Sequence, residues 1–132
     1  MAHQTSFRVR FGELDPYRHV NHTVYLTWLE AGRVEALEDH GLGLDKLQDE
    51  GVQIVVANLD IKFHRPAVAG DEVTIETKVF EVRRASSTWD QRVLRGDEVL
   101  ASATVRIAIC NEAGKPTRPP AGLIEQLAAI GA

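Results

Sequence analysis

The sequence predicts an α+β protein in which a five-stranded, curled antiparallel sheet wraps around one long central helix. Only residues 23–40 have the length of a long helix, and their apolar side chains cover far more than one stripe. After this segment the chain consists mainly of strand-like stretches separated by short turns. Because so apolar a helix is unstable on a solvated sheet face, we expect the sheet to curl around it.

The composition suits one domain spanning residues 1–132, since 44% of the residues are hydrophobic. With 15 basic and 19 acidic residues the net charge is −4, which argues against a nucleic-acid partner that needs a strongly basic face. A single cysteine, Cys110, excludes an internal disulfide, and no apolar run has the length of a signal peptide or a membrane span. We therefore expect a cytoplasmic protein with no membrane partner.

The first strand is predicted over residues 7–11, in which three apolar residues alternate with two arginines. Gly12 ends this strand. The preceding residues, Met1 to Thr5, are polar, and we expect them to be frayed.

The long helix is predicted over residues 23–40, with a signal at each end. Asn21 suits the N-cap, and Gly41 suits the left-handed position after the last turn. Eighteen residues at a rise of about 1.5 Å give a rod of roughly 27 Å. The loop before Asn21 is therefore held at one end of a rigid element.

The strand after the helix is predicted over residues 52–64, following a short connector with one helical turn at residues 45–50. Residues 54–57 are apolar on both faces. Such a strand lies either in the centre of a sheet or at an edge that another chain covers. Pro66 ends it.

Three further strands are predicted over residues 71–83, 86–95 and 99–110, with hairpin turns at residues 84–85 and 96–97. They should form an antiparallel meander. In the last of them alternate residues from Val99 to Ile109 form an apolar face whose alanines leave room for the central helix. Residues 122–130 predict a short terminal helix on the surface.

The loop before the helix carries the best candidate for chemistry, Asp15. Pro16 restricts its backbone, and the free amides of the helix start lie a few residues further on. A carboxylate beside amides that can stabilise an oxyanion suits acyl transfer. The alternative interpretation is that Asp15 only orders the loop through an Asx turn.

The histidines allow a second alternative, because His19 and His22 form an HxxH pair to which Asp15 or His64 could add a third metal ligand. Neither paired cysteines nor a helical HExxH is present, so we expect no metal. Otherwise His19 holds the loop by hydrogen bonds and His22 is an exposed residue of the first turn. We expect no cofactor, since no glycine-rich phosphate loop occurs, and without a GxSxG motif a serine hydrolase has little support.

Several other polar residues have both a functional and a structural interpretation. Glu30 is either catalytic or paired with Arg33 one turn later. Tyr25 either contacts a ligand or belongs to the core. Three arginines at predicted loop edges are candidate phosphate-binding groups, with solvated charge as the alternative: Arg65, Arg83 and Arg84.

Two stretches resemble the hotdog-fold acyl-CoA thioesterases, specifically the 4-hydroxybenzoyl-CoA thioesterase-like group. They are FRVRFGELDPYRHVNHTVYLTWLEAGR at residues 7–33 and FHRPAVAGDEV at residues 63–73. The resemblance places Asp15 at the family's catalytic aspartate. It places amides near the helix start, around His22, Thr23 and Tyr25, where the thioester carbonyl is held.

Residues 13–22, ELDPYRHVNH, are also similar to the loop of the acyl-carrier-protein thioesterases, which carries an aspartate, an asparagine and a histidine. This similarity adds His19 and Asn21 to Asp15 as catalytic candidates. Tyr17 stands where that family has its catalytic asparagine, so that family's detailed mechanism does not transfer.

The resemblance implies an enzyme that hydrolyses an acyl-CoA or aryl-CoA thioester to the free acid and CoA. It also implies a homodimer whose sheets pair edge to edge, with the sites between subunits, or a homotetramer of such dimers. The alternative from another class is a hotdog module that binds acyl-CoA without turning it over.

Overall fold

The computed structural model describes the whole chain, Met1–Ala132. Five strands form one antiparallel sheet in the order β1-β3-β4-β5-β2. The strands are β1 (His3–Arg8), β2 (Gln53–Phe63), β3 (Glu72–Val82), β4 (Ser86–Arg95) and β5 (Glu98–Cys110); the helices are α1 (His22–Asp39), α2 (Leu44–Asp49) and α3 (Leu123–Ala128). This arrangement confirms the predicted five-stranded sheet around one long helix. None of the helices is long and apolar enough to cross a membrane.

The long helix α1 has the predicted signals at its ends. The side chain of Asn21 accepts a hydrogen bond from the Thr23 amide at 2.9 Å, as an N-cap does. After the helix, Gly41 has a φ of 74°, a left-handed conformation that glycine adopts at little cost. Both helix boundaries lie within one residue of the prediction.

α1 packs most closely on β1, β3 and β4. Gly32 permits this approach, because a Cβ at this position would lie 2.5 Å from Cγ2 of Ile75 on β3. Next to it, Nε2 of Gln91 on β4 donates to the carbonyl oxygen of Leu29 at 2.9 Å and to Oγ1 of Thr77 at 3.0 Å. The helix and the sheet are therefore joined by hydrogen bonds as well as by apolar packing.

Arg33 lies in this interior and is almost fully buried. Its Nη1 donates to Oε1 of Gln91 at 2.9 Å, and no ion pair joins it to the predicted partner Glu30, which is exposed. Burial lowers the pKa of the Arg33 guanidinium, and the charge of Glu30 partly opposes this shift. The interpretation of Glu30 as the partner of Arg33 is therefore not supported, because the guanidinium faces β4.

The start of the chain differs from the prediction. β1 covers His3–Arg8 and pairs with β3, so that Phe7 lies opposite Val73. Phe11 belongs to a 3-10 turn and is 92% exposed. The predicted frayed start is therefore wrong, and the predicted strand exists but lies four residues earlier than expected at its start and three at its end. A strand is held by backbone hydrogen bonds, and β3 offers these to polar residues as readily as to apolar ones.

β2 is an edge strand, so the prediction of central burial is wrong and the prediction of an edge is confirmed. Val55 and Val56 keep 44% and 45% of their surface exposed. β3, β4 and β5 form the predicted meander, and alternate residues of β5 from Ala101 to Ile109 are buried.

The terminal helix α3 is less superficial than predicted. Leu123 and Leu127 are buried, as is Ile130 just after the helix. The carbonyl oxygen of Ile130 accepts a hydrogen bond from the Val79 amide at 2.9 Å. α3 is therefore part of the core at the far end of β3.

Candidate active site

A cleft of about 360 Å³ lies beside the first turn of α1. Five of the predicted site residues line it, and the fold brings them together from two separate stretches of chain. The lining residues are Asp15, His19, Val20, His22, Tyr25, Phe63, His64, Arg65 and Pro66. Of these, Val20, Phe63 and Pro66 were not predicted, and His64 was considered only as a metal ligand.

Asp15 lies in a tight loop that the chain closes on itself. Its amide donates to the carbonyl oxygen of His19 at 2.7 Å, and Arg18 between them has a φ of 63°. Its carboxylate Oδ1 accepts hydrogen bonds from the amides of Tyr17 at 2.8 Å and His19 at 3.1 Å. Oδ1 thus forms the Asx turn of the structural interpretation, whereas Oδ2 makes no hydrogen bond within the chain.

The first turn of α1 leaves the backbone donor of His22 without a partner. The Thr23 amide donates to Oδ1 of Asn21 and the Val24 amide donates to the Asn21 carbonyl oxygen, both at 2.9 Å. The amide of His22 has no acceptor within the chain. This unpaired amide belongs to the positive end of the helix dipole, at a residue that lines the cleft.

Asn21 and Thr23 were predicted site residues, but they form the helix cap and do not line the cleft. Oγ1 of Thr23 donates to Oδ1 of Asn21 at 2.8 Å, in addition to the bond from the Thr23 amide. Both side chains are therefore committed to the helix cap.

Tyr25 combines a core position with a polar tip at the cleft. Its hydroxyl oxygen accepts a hydrogen bond from the amide of Ala67 at 2.9 Å, and the side chain is almost fully buried. Desolvation raises the pKa of the Tyr25 hydroxyl, against the opposing effects of the Ala67 amide and Arg95. The hydroxyl is therefore protonated at neutral pH, and its hydrogen remains available to a ligand.

The apolar part of the cleft is aromatic. The ring of Phe63, half exposed at the end of β2, meets the rings of Tyr25 and His22 edge-on, with centroids 5.3 Å and 6.4 Å away. Nε2 of His64 is 2.9 Å from Oγ of Ser102. No three His, Cys, Asp or Glu side chains converge as metal ligands would, so the geometry gives the HxxH alternative no support.

The predicted arginines do not lie together in one subunit. Arg65 lies at the cleft and pairs with Glu98 at 3.1 Å. Arg83 pairs with Glu81, and Arg84 lines a separate hollow with Arg118 near α3. Because β3 has 11 residues at about 3.3 Å each, its turn to β4 lies roughly 36 Å from the cleft end of the strand.

Asp71 lies behind the cleft and gives a testable pH dependence. Desolvation opposes its ionisation, but the Val68 amide and Arg95 together lower the pKa of its carboxyl below the ordinary value. A carboxyl whose pKa is lower in the folded state than in the unfolded state stabilises the fold at pH values above its unfolded pKa of about 3.9. This contribution to stability is lost as the pH falls through the pKa of the folded state.

In urea titrations at several pH values, we expect Asp71→Asn to be less stable than the parent at pH 7. The difference should shrink below about pH 4, and a constant difference would contradict this.

Comparisons with known proteins agree on one family. The sequence profile of the family described as "Thioesterase-like superfamily" matches residues 9–127. Long-chain acyl-CoA thioesterase FadM of Escherichia coli K12 is 33% identical over 104 residues, covering 77% of this chain and 78% of that protein. Acyl-CoA thioesterase YbgC of Haemophilus influenzae is 32% identical over 109 residues, covering 82% and 79%. A probable thioesterase from Bartonella henselae superposes with a TM-score of 0.85 at 34% identity, covering 91% of this chain and all of that one.

Proposed function

Because the chain belongs to the thioesterase-like superfamily and has the hotdog fold, it is a thioester hydrolase, and we propose that Asp15 and the His22 amide perform the hydrolysis. One observation is the main support for this proposal. A carboxylate oxygen and a helix-start amide, both without partners, belong to residues that line the same cleft. Nucleophile activation and oxyanion stabilisation need such a pair.

In the proposed reaction the thioester carbonyl oxygen accepts a hydrogen bond from the His22 amide. Oδ2 of Asp15 takes a proton from water as the water oxygen adds to the carbonyl carbon. The tetrahedral intermediate then expels the thiolate, which needs little protonation because a thiol has a pKa of about 8.5. In the alternative route Oδ2 attacks the carbon itself and the thiolate leaves, and water then hydrolyses the resulting mixed anhydride to the free acid and the Asp15 carboxylate.

We propose acyl-CoA or aryl-CoA thioesters as substrates. Two relatives above 30% identity are named acyl-CoA thioesterases, one of them for long chains. The cleft offers Phe63, Tyr25 and Val20 to an apolar acyl group, and Arg65 at its rim to an anion. A thiol-release assay on a panel of alkyl- and aryl-CoA thioesters tests the proposal. Binding of the panel without thiol release would contradict it and favour a non-catalytic module.

We also propose that two copies pair through β2. An edge strand with two half-exposed valines is a favourable surface for strand addition. If two β2 strands pair antiparallel, Gln53 of one strand comes beside the Phe63 end of the other. The hairpin with Arg83 and Arg84 then lies on the same side of the assembly as the other copy's cleft.

This arrangement predicts how the arginines affect kinetics. If Arg65, Arg83 or Arg84 binds the CoA phosphates, replacing it by Gln should raise KM for CoA thioesters more than it lowers kcat. A short thioester without the nucleotide should show no change, which provides the control. Unchanged KM values for all three variants would assign these arginines to the solvated surface.

A further inference from the structure

Residues 65–71, within the connection between β2 and β3, are called here the wall segment, and its first two residues, Arg65 and Pro66, line the cleft. At its centre Ala67 is fully buried and makes two backbone hydrogen bonds to the site. Its carbonyl oxygen accepts from the Val20 amide and its amide donates to the Tyr25 hydroxyl, both at 2.9 Å. Val68 also pairs with His19 as a single β-bridge. The wall segment therefore contacts the chain on both sides of the free His22 amide.

Arg95, near the end of β4, holds the wall segment at both ends. Its Nη1 donates to the carbonyl oxygen of Pro66 at 3.3 Å and to Oδ2 of Asp71 at 2.7 Å. Asp71 Oδ2 in turn accepts from the Val68 amide at 2.9 Å. The two ends of the segment are thus fixed relative to each other by one guanidinium.

Glu98 fixes the guanidinium itself. Its Oε1 accepts from Nη2 of Arg95 at 2.6 Å and from Nε at 3.1 Å, a two-bond contact that a planar fork makes and an ammonium does not. About a third of the Arg95 side chain is exposed, so it is held by these bonds rather than by burial.

We propose that Arg95 is a positioning residue for the reaction, acting through the wall segment on the helix start. The proposed path has three steps. Arg95 fixes the positions of Pro66 and Asp71, and these two residues fix the position of Ala67. Ala67 in turn fixes Val20 and Tyr25 through its backbone hydrogen bonds. His22 lies between the last two. A shift of about 1 Å in a group that stabilises the transition state can reduce turnover about 100-fold. This inference rests on the proposed function, in which the His22 amide holds the carbonyl oxygen.

The test compares Arg95→Gln with Arg92→Gln. Arg92 lies on the same strand and donates to Glu76 at 2.6 Å, so both variants lose an arginine–carboxylate pair, but Arg92 does not touch the wall segment. We expect kcat to fall about 10- to 100-fold in Arg95→Gln, with KM within about twofold of the parent, and to stay near the parent value in Arg92→Gln. Equal loss of kcat in the two variants would overturn the proposal.

Amide hydrogen exchange gives a readout that does not depend on turnover. In Arg95→Gln the Val20 and Ala67 amides should exchange faster than in the parent, while the amides of β4 and β5 stay protected. If these two amides remain as protected as in the parent, Arg95 does not position the segment, whatever the activity. If the parent protein hydrolyses none of the thioesters, the proposed function is refuted, whereas the exchange measurement still tests whether Arg95 positions the wall segment.

Arg95→Lys covers the case in which Arg95→Gln does not fold. Lys keeps the charge but cannot make the two-bond contact with Glu98 while reaching Asp71 and Pro66. We expect it to fold and to show the same direction of change in kcat and in exchange at Val20 and Ala67. Full activity and full protection in Arg95→Lys would show that charge alone is sufficient, and would overturn the positioning role.

Discussion

Asp15→Asn should lower kcat for a good CoA thioester by at least about 100-fold while KM changes little. The substitution keeps Oδ1, which accepts the Tyr17 and His19 amides, so the loop should stay ordered. It replaces the free Oδ2 by an amide nitrogen, which can neither take a proton from water nor attack the carbonyl. A positioned base contributes roughly 10² to 10⁴ in rate, and the loss acts on the transition state rather than on binding.

Asp15→Ala separates the two roles of this side chain. It removes the Asx turn as well as the base, so its melting temperature should fall while that of Asp15→Asn stays near the parent value. Steady-state kinetics and thermal unfolding of both variants make the comparison. Near-parental turnover in Asp15→Asn would reduce Asp15 to a loop-ordering residue and direct attention to His19 and Glu30.

A charge on the β2 edge should abolish the assembly. Val56→Glu would place a carboxylate in the contact where two β2 strands meet, and burying an unpaired charge is strongly unfavourable. We expect sedimentation velocity to show either a monomer or aggregates, with loss of activity. If a second copy completes the cleft as proposed, the loss of activity should be large, because the cleft would be left open.

Phe80→Glu is the matched control for the edge. Phe80 is another half-exposed apolar residue, but it lies at a bulge of β3, away from the β2 edge. This variant should keep the mass of the parent assembly. A parent protein that sediments as an active monomer would contradict the β2 interface directly.

The long elements could be predicted from the sequence because their signals are local. The period of α1, its Asn21 cap and Gly41 determine the helix within a stretch of about 20 residues, and the turns between β3, β4 and β5 are equally local. β1 was misplaced for the opposite reason. Its residues are mostly polar, and only the free edge of β3, some 70 residues later, explains why they form a strand.

The same distinction applies to the site. Asp15 and the helix start lie within eight positions of each other, so one loop and one helix suggested them. The pairing of β2 with β5 brings Phe63, His64 and Pro66 to the cleft. Arg95 reaches the wall segment from β4, the strand that pairs with β3. No local pattern marks such residues. Arg83 and Arg84 are the opposite case. Their charge suggested that they bind phosphate, but within one subunit they lie far from the cleft.

The close contact between Gly32 and Ile75 controls the position of the whole helix α1. A helix is stiff along its axis, and Gly32 lies ten residues, about 15 Å, from the His22 amide. Any side chain at position 32 must push against Ile75, which tilts or slides the rod. The displacement would reach the start of α1 almost undiminished. If the His22 amide acts as proposed, the rate of thioester hydrolysis therefore depends on the absence of a side chain at position 32, about 15 Å away.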